Sequence, residues 1–143
     1  MPDAYLPLAR RLLQQTEPTL RVSAATREAL LAGSSIERHP AGKTLSRRAD
    51  PVHELLLVLD GNLEVSMQGS GGRRSICWYL APGQWMGLIP VIDGRGAIHD
   101  LRSHTESVLL HIPRATFSQA LQADHCLALA CLNLLCERSR SLY

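Results

Sequence analysis

The chain has 143 residues, 45% of them hydrophobic and 4% aromatic, and carries a formal net charge of +2. That length fits one domain whose core is built from Leu, Ile, Val and Ala. The charge is too small, and the basic residues (Arg10-Arg11, Arg47-Arg48, Arg73-Arg74, Arg138/Arg140) too scattered, to argue for nucleic-acid binding. No basic segment followed by an apolar one opens the chain, so no secretory signal is expected. The longest apolar stretch, Cys126 to Cys136, is interrupted by Asn133 and is too short to span a bilayer. A cytoplasmic chain with reduced thiols is expected, with no membrane partner.

In chain order, Ala4 to Gln15 sets Leu6, Leu8, Leu12 and Leu13 against Arg10, Arg11 and Gln14, which predicts a short amphipathic helix weakened by Pro7. Ser23 is placed to cap a second helix, with Ala25, Leu30 and Leu31 as its apolar set and Gly33 at its end. Short strands are expected at Ile36 to His39 and Lys43 to Ser46, separated by the turn His39-Pro40-Ala41-Gly42. After a polar loop, Arg47 to Val52, the continuous run Glu54 to Leu59 predicts a fully buried strand. Asp60-Gly61 is the strongest hairpin signal, and Asn62 to Met67 then alternates with Leu63 and Val65 inward. Gln68 to Arg74 is a turn, Ser75 to Leu80 a strand, Ala81-Pro82-Gly83 a turn, and Val108 to Ile112 a late strand. Many short strands at near-regular spacing point to an antiparallel barrel or jelly roll.

After Pro113 the period becomes helical. Arg114 to Leu121 is a short helix, and Asp124 can cap a longer one that runs to the end. On that helix Leu127, Cys131, Leu134 and Arg138 form one stripe, and Leu129, Leu132 and Cys136 form another. One stripe suffices to pack on the barrel. The second predicts a homodimer, and Leu127, Cys131, Leu134 and Arg138 are the expected interface. Cys126, Cys131 and Cys136 lie five apart, a rotation of roughly 140° per step, so they cannot share one ion. Cys77 stands alone on a strand, and the cysteines are expected to be buried small hydrophobes.

The order helix, β-roll, short helix, long helix resembles the effector domain of the Crp/Fnr superfamily, the cyclic-nucleotide-binding-like fold. HPAGKTLSRRADPVHELLLVLDGNLEVS is similar to the family's first half, SICWYLAPGQWMG to its central glycine segment, and HIPRATFSQAL to the strand and helix before the dimerising helix. Arg48-Ala49-Asp50 lacks the Gly that usually precedes the Asp. The resemblance implies a mainly β fold with flanking helices, a double-stranded β-helix followed by a short helix and a long dimerisation helix. It divides the chain into a helical extension (residues 1–21), the β-roll (22–122) and the dimerisation helix (123–143).

In cyclic-nucleotide binders of this family, the Gly matching Gly87 is followed by a Glu that holds the ribose, and an Arg-Ser/Thr-Ala triplet further on binds the cyclic phosphate. Backbone N–H groups at a helix start and one Arg bracket the negative charge there. An ungapped comparison puts Leu88 at the Glu and Ala97, Ile98 and His99 on the triplet. Each lost charge-assisted hydrogen bond costs roughly 1.5–3 kcal/mol, so cAMP or cGMP should bind about two to four orders of magnitude more weakly. Arg95-Gly96-Ala97 mimics the triplet two positions early, and Arg102 follows on the next strand. The candidate pocket therefore comprises Trp85, Gly87, Leu88, Ile89, Arg95, Ala97, His99 and Arg102. It suits an apolar or aromatic effector, or is closed on itself.

No catalytic motif is present: there is no Gly-x-Ser-x-Gly, phosphate-binding loop or paired carboxylate. His99, His104 and His111 could be grouped as a metal set, but His99 and His104 differ in strand parity. Cys77 with His99 is the one pairing that could ligate haem. Neither haem nor metal is expected. His39-Pro40-Ala41-Gly42 through His53-Glu54 to Asp60-Gly61 is also similar to a first cupin motif, without the H-x-H pair of a metal cupin. The expectation is a regulatory sensor domain, not an enzyme, with a small-molecule effector. DNA would be reached only through a helix-turn-helix domain that these residues do not include, and effector occupancy would shift the hinge near Ala123-Asp124.

Overall fold

The computed structural model describes residues 3–141. In chain order it runs α1 (Leu6–Gln15), α2 (Ala24–Ala32), β1 (Ser35–His39), β2 (Thr44–Ser46), β3 (Glu54–Asp60) and β4 (Leu63–Gln68). It continues with β5 (Arg74–Leu80), β6 (Trp85–Met86), α3 (Leu88–Asp93), β7 (Asp100–Ser103), β8 (Ser107–Pro113), α4 (Arg114–Ala123) and α5 (His125–Arg140). The strands form two four-stranded sheets, β1-β8-β3-β6 and β2-β7-β4-β5, with every pairing antiparallel. This is the expected β-roll with flanking helices.

The strand β3 explains the roll. On one face Val58 meets Leu109 and, from the opposite sheet, Leu63, Val65, Leu80 and Leu101, which closes the interior. On the other face Leu55, Leu57 and Leu59 join a cluster with Ala9, Leu13, Leu30, Phe117, Leu127 and Cys131 from the helices. Both faces are covered, so the run reads as continuously apolar instead of alternating. Each fully buried leucine contributes about 1.5–3 kcal/mol. Ala9 and Leu13 tie α1 into this same core.

Asp60-Gly61 does not make a hairpin. The strand β3 pairs with β6 and β8, whereas β4 pairs with β5 and β7, so the dipeptide turns a corner between the two sheets. The Asp-Gly signal encodes a positive φ, which a corner needs as much as a hairpin does. Gly61 has φ +82°, and a Cβ there would lie 2.4 Å from the Glu106 carbonyl oxygen.

Helix starts follow their caps. The Ser23 hydroxyl accepts from Thr26 N (3.1 Å), and Asp124 Oδ1 accepts from Cys126 N (2.9 Å). The Asp124 carboxylate also reaches α2: its Oδ2 accepts from the Thr26 hydroxyl (2.7 Å) and Ser23 N (3.2 Å). One side chain thus caps α5 and fastens the α4–α5 junction to the start of α2. Of the apolar set expected on α2, Leu30 and Leu31 are buried and Ala25 is exposed.

Two expectations for α5 are corrected. Leu127 and Cys131 are 0% and 3% exposed inside the domain core, with Leu134 packed against it. The free stripe is the other one, Leu129 and Leu132, at 60% and 58% exposure. Periodicity finds two stripes but cannot say which one the barrel takes. The cysteines differ too: Cys77, Cys126 and Cys136 are exposed, and only Cys131 is buried. Burial pushes the Cys131 thiol up to about 11. Among the described residues, no helix is long and apolar enough to cross a membrane.

Candidate functional site

The segment after β6 is a site-forming loop because its glycines permit it. Gly87 (φ +99°) breaks the strand and starts α3, passing so close to β3 that a Cβ would sit 3.2 Å from the Glu54 carbonyl oxygen. Gly94 (φ +74°) ends the helix, and its N–H donates to the Pro90 carbonyl at 2.8 Å. The apolar run Leu88–Ile92 is therefore helical, which the shortness of the six-residue helix Leu88–Asp93 concealed. Beyond it the loop is stitched to the segment before β3: Ala49 N donates to Ala97 O (2.8 Å) and Ala97 N to Asp50 O (2.9 Å). Ala49 holds φ +74° at the position where the resembled family has Gly. The missing glycine is thus replaced by a residue held in a disfavoured backbone well.

These elements line a cavity of about 710 Å³ inside the roll. Of the expected pocket residues, Trp85, Gly87, Leu88, Ile89, Ala97 and His99 line it. Arg95 and Arg102 do not. Arg95 is exposed on the loop, its backbone N–H held by Asp93 Oδ1 at 2.9 Å. Arg102 follows Leu101 on β7, and strand alternation turns it to the outer face, in register with Glu64. Arg138, expected at a dimer interface, instead lines the cavity together with Ser141 at the end of α5. Around the start of α3 the wall is apolar: Leu88 is 2% exposed, and Ile89, Ala97 and Ile98 adjoin it. Trp85 is also buried there, and its indole N–H has no partner among the described residues.

A polar wall contributed by β1, β3 and β8 stands apart from those expectations. Lys43 Nζ lies 3.1 Å from His39 Nδ1, His39 Nε2 lies 3.0 Å from His111 Nε2, and His111 Nδ1 lies 3.0 Å from Glu54 Oε1. An ammonium only donates and a carboxylate only accepts, so one tautomer assignment satisfies the chain. Lys43 donates to His39, His39 donates through Nε2–H to His111, and His111 donates through Nδ1–H to Glu54. Burial above all, then His111 and the Lys43 charge, hold His39 below its ordinary pKa. The sequence signal was present in the parity of Glu37 and His39 on one strand, but the turn after His39 masked it.

The grouped His99, His104 and His111 do not converge. His99 packs edge-on against Trp78 on the cavity side (ring centroids 4.9 Å apart), whereas His104 meets Tyr79 on the outer face. Burial first, then Arg48, lowers the pKa of His99. Cys77 is not a cavity-lining residue, so it forms no pair with His99 there.

Residues 36–124, more than half of the chain, match the cyclic nucleotide-binding domain. The chain belongs to that family. This sets aside the cupin assignment. The CRP-like protein Clp of Xanthomonas oryzae pv. oryzae is 27% identical over 127 residues, which cover 87% of this chain and 54% of that protein. The chain spans about half the length of the curated relatives it matches. Among solved structures, the sensor domain of the transcriptional regulator DNR from Pseudomonas aeruginosa superimposes with a TM-score of 0.83 at 20% identity, covering 92% of this chain and 89% of that one. The Thermus thermophilus catabolite activator protein gives 0.78 at 19% identity, over 92% of this chain and 59% of the other. The cyclic nucleotide-binding domain of CRP-like regulators is regulatory, not enzymatic.

Proposed function

We propose that this domain is the ligand-sensing part of a CRP-like transcription regulator whose effector is neither cAMP nor cGMP held in the usual way. One observation supports this: at the positions the resemblance aligns with the ribose-binding Glu and the phosphate-binding Arg, the cavity lining has buried Leu88 and half-buried Ala97, while Arg95 and Arg102 lie outside it. The effector that fits has an apolar or aromatic body against Ile89, Ala97 and Ile98. Its occupancy reaches α5 through the shared core, because Leu88 and Val91 of α3 pack in one cluster with Leu127 and Cys131. Two subunits would pair through the free Leu129/Leu132 stripe. A change at the Asp124 hinge would then reorient a helix-turn-helix domain beyond these residues.

Calorimetry with cAMP and with cGMP tests the proposal. The expected result is no binding in the micromolar range by the natural sequence, and measurable cAMP binding by the double variant Leu88→Glu/Ala97→Arg. Micromolar or tighter binding by the natural sequence would refute it.

A further inference from the structure

We propose that Glu37, His39 and His111 form a binding site for a divalent transition-metal ion at the edge of the cavity, which His39 and His111 line and exposed Glu37 borders from outside. It does not depend on which organic effector the cavity takes. Glu37 and His39 are two apart on β1 and share a face; His111 stands on the same face of the neighbouring strand β8, where it pairs with Ser35. One ligand atom from each of the three lies within 4.8 Å of the others, and both histidines are buried. The two Nε2 atoms face each other at 3.0 Å. Zinc–imidazole bonds of about 2.0–2.1 Å need only a few tenths of an ångström more separation than this for a tetrahedral angle. A carboxylate oxygen of Glu37 lies 3.8 Å from His111 Nε2 and can supply the third bond.

The surroundings also suit a ligand. The second nitrogen of His111 donates to Glu54 Oε1, the outer carboxylate that fixes the tautomer and ring angle of a metal-bound histidine. Two imidazoles and one carboxylate favour zinc and its first-row neighbours over calcium or magnesium, and three protein ligands leave a position for water or an effector atom. The proton now shared between the two Nε2 atoms leaves when the ion enters. Lys43 opposes binding: its ammonium holds the His39 tautomer with the proton on Nε2 and adds positive charge.

The test uses untagged protein carrying Cys77→Ser, Cys126→Ser and Cys136→Ser, so that exposed thiols do not compete for metal. Zn2+ is titrated by calorimetry, and Co2+ is followed by its visible d–d absorption. One ion per chain is expected, with Co2+ bands free of thiolate charge transfer. His111→Gln and Glu37→Gln should each weaken binding by more than the roughly 10–100-fold that outer-shell groups carry, and Glu54→Gln should fall within that range. Lys43→Met should tighten binding, which a merely structural role for the cluster does not predict. Glu37 is exposed, so its variant keeps the fold, and circular dichroism checks the others. No stoichiometric binding by the parent protein overturns the site. So does binding that Glu37→Gln or His111→Gln leaves unchanged.

Discussion

Replacing Asp124 by alanine removes a helix cap and a tie between two helices in one step. The cap on Cys126 N is worth about 1 kcal/mol. The 2.7 Å bond from the Thr26 hydroxyl is shielded, because Thr26 is only 9% exposed, and its loss costs about 1 kcal/mol more. The bonds from Ser23 are exposed and add little. The expected total, about 2 kcal/mol, corresponds to a fall in Tm of about 6–8 °C for a domain of this size. Asp124→Asn keeps an equally good cap and should lose about half as much. Hydrogen bonds from Thr26 first, then from Ser23 and Cys126, hold the Asp124 carboxyl below its ordinary pKa of 3.8. A lowered folded value means that the ionised form is the stabilising one. The difference between the natural sequence and Asp124→Asn is therefore complete above that ordinary value. It disappears as pH falls through the lower folded value. Calorimetric scans at neutral and strongly acidic pH measure both effects. An Asp124→Ala protein that melts within about 1 °C of the parent at neutral pH would show that the α4–α5 junction is not fastened to α2.

The two stripes of α5 should respond oppositely to mutation. Leu127→Ala is expected to cost about 2–5 kcal/mol in urea unfolding, because it opens a cavity in the core. Leu129→Ser with Leu132→Ser should change monomer stability by no more than about 0.5 kcal/mol per site and, in sedimentation velocity, shift dimer toward monomer. At Ala49, whose φ is +74°, substitution by glycine relieves backbone strain at some cost in chain entropy. A net gain of about 0.5–1 kcal/mol is expected, and a lowered urea midpoint would show that the loop is not strained there.

Local chemistry was legible in the residues themselves. Ser23 and Asp124 announce helix starts because a short side-chain oxygen can reach the free N–H groups of the first turn. The run Glu54 to Leu59 announces a strand covered on both faces. These signals act within a few residues, so order along the chain preserves them. Tertiary structure decided everything that depends on which distant surface a face meets. It sent the Leu127/Cys131 stripe inward and left Leu129/Leu132 free. It turned Asp60-Gly61 into a corner between sheets and put Arg102 outside the cavity. It also carried His39 across to His111, seventy-two positions away, because β1 and β8 are neighbours in one sheet. Periodicity specifies a face, but only the packed sheets specify its partner.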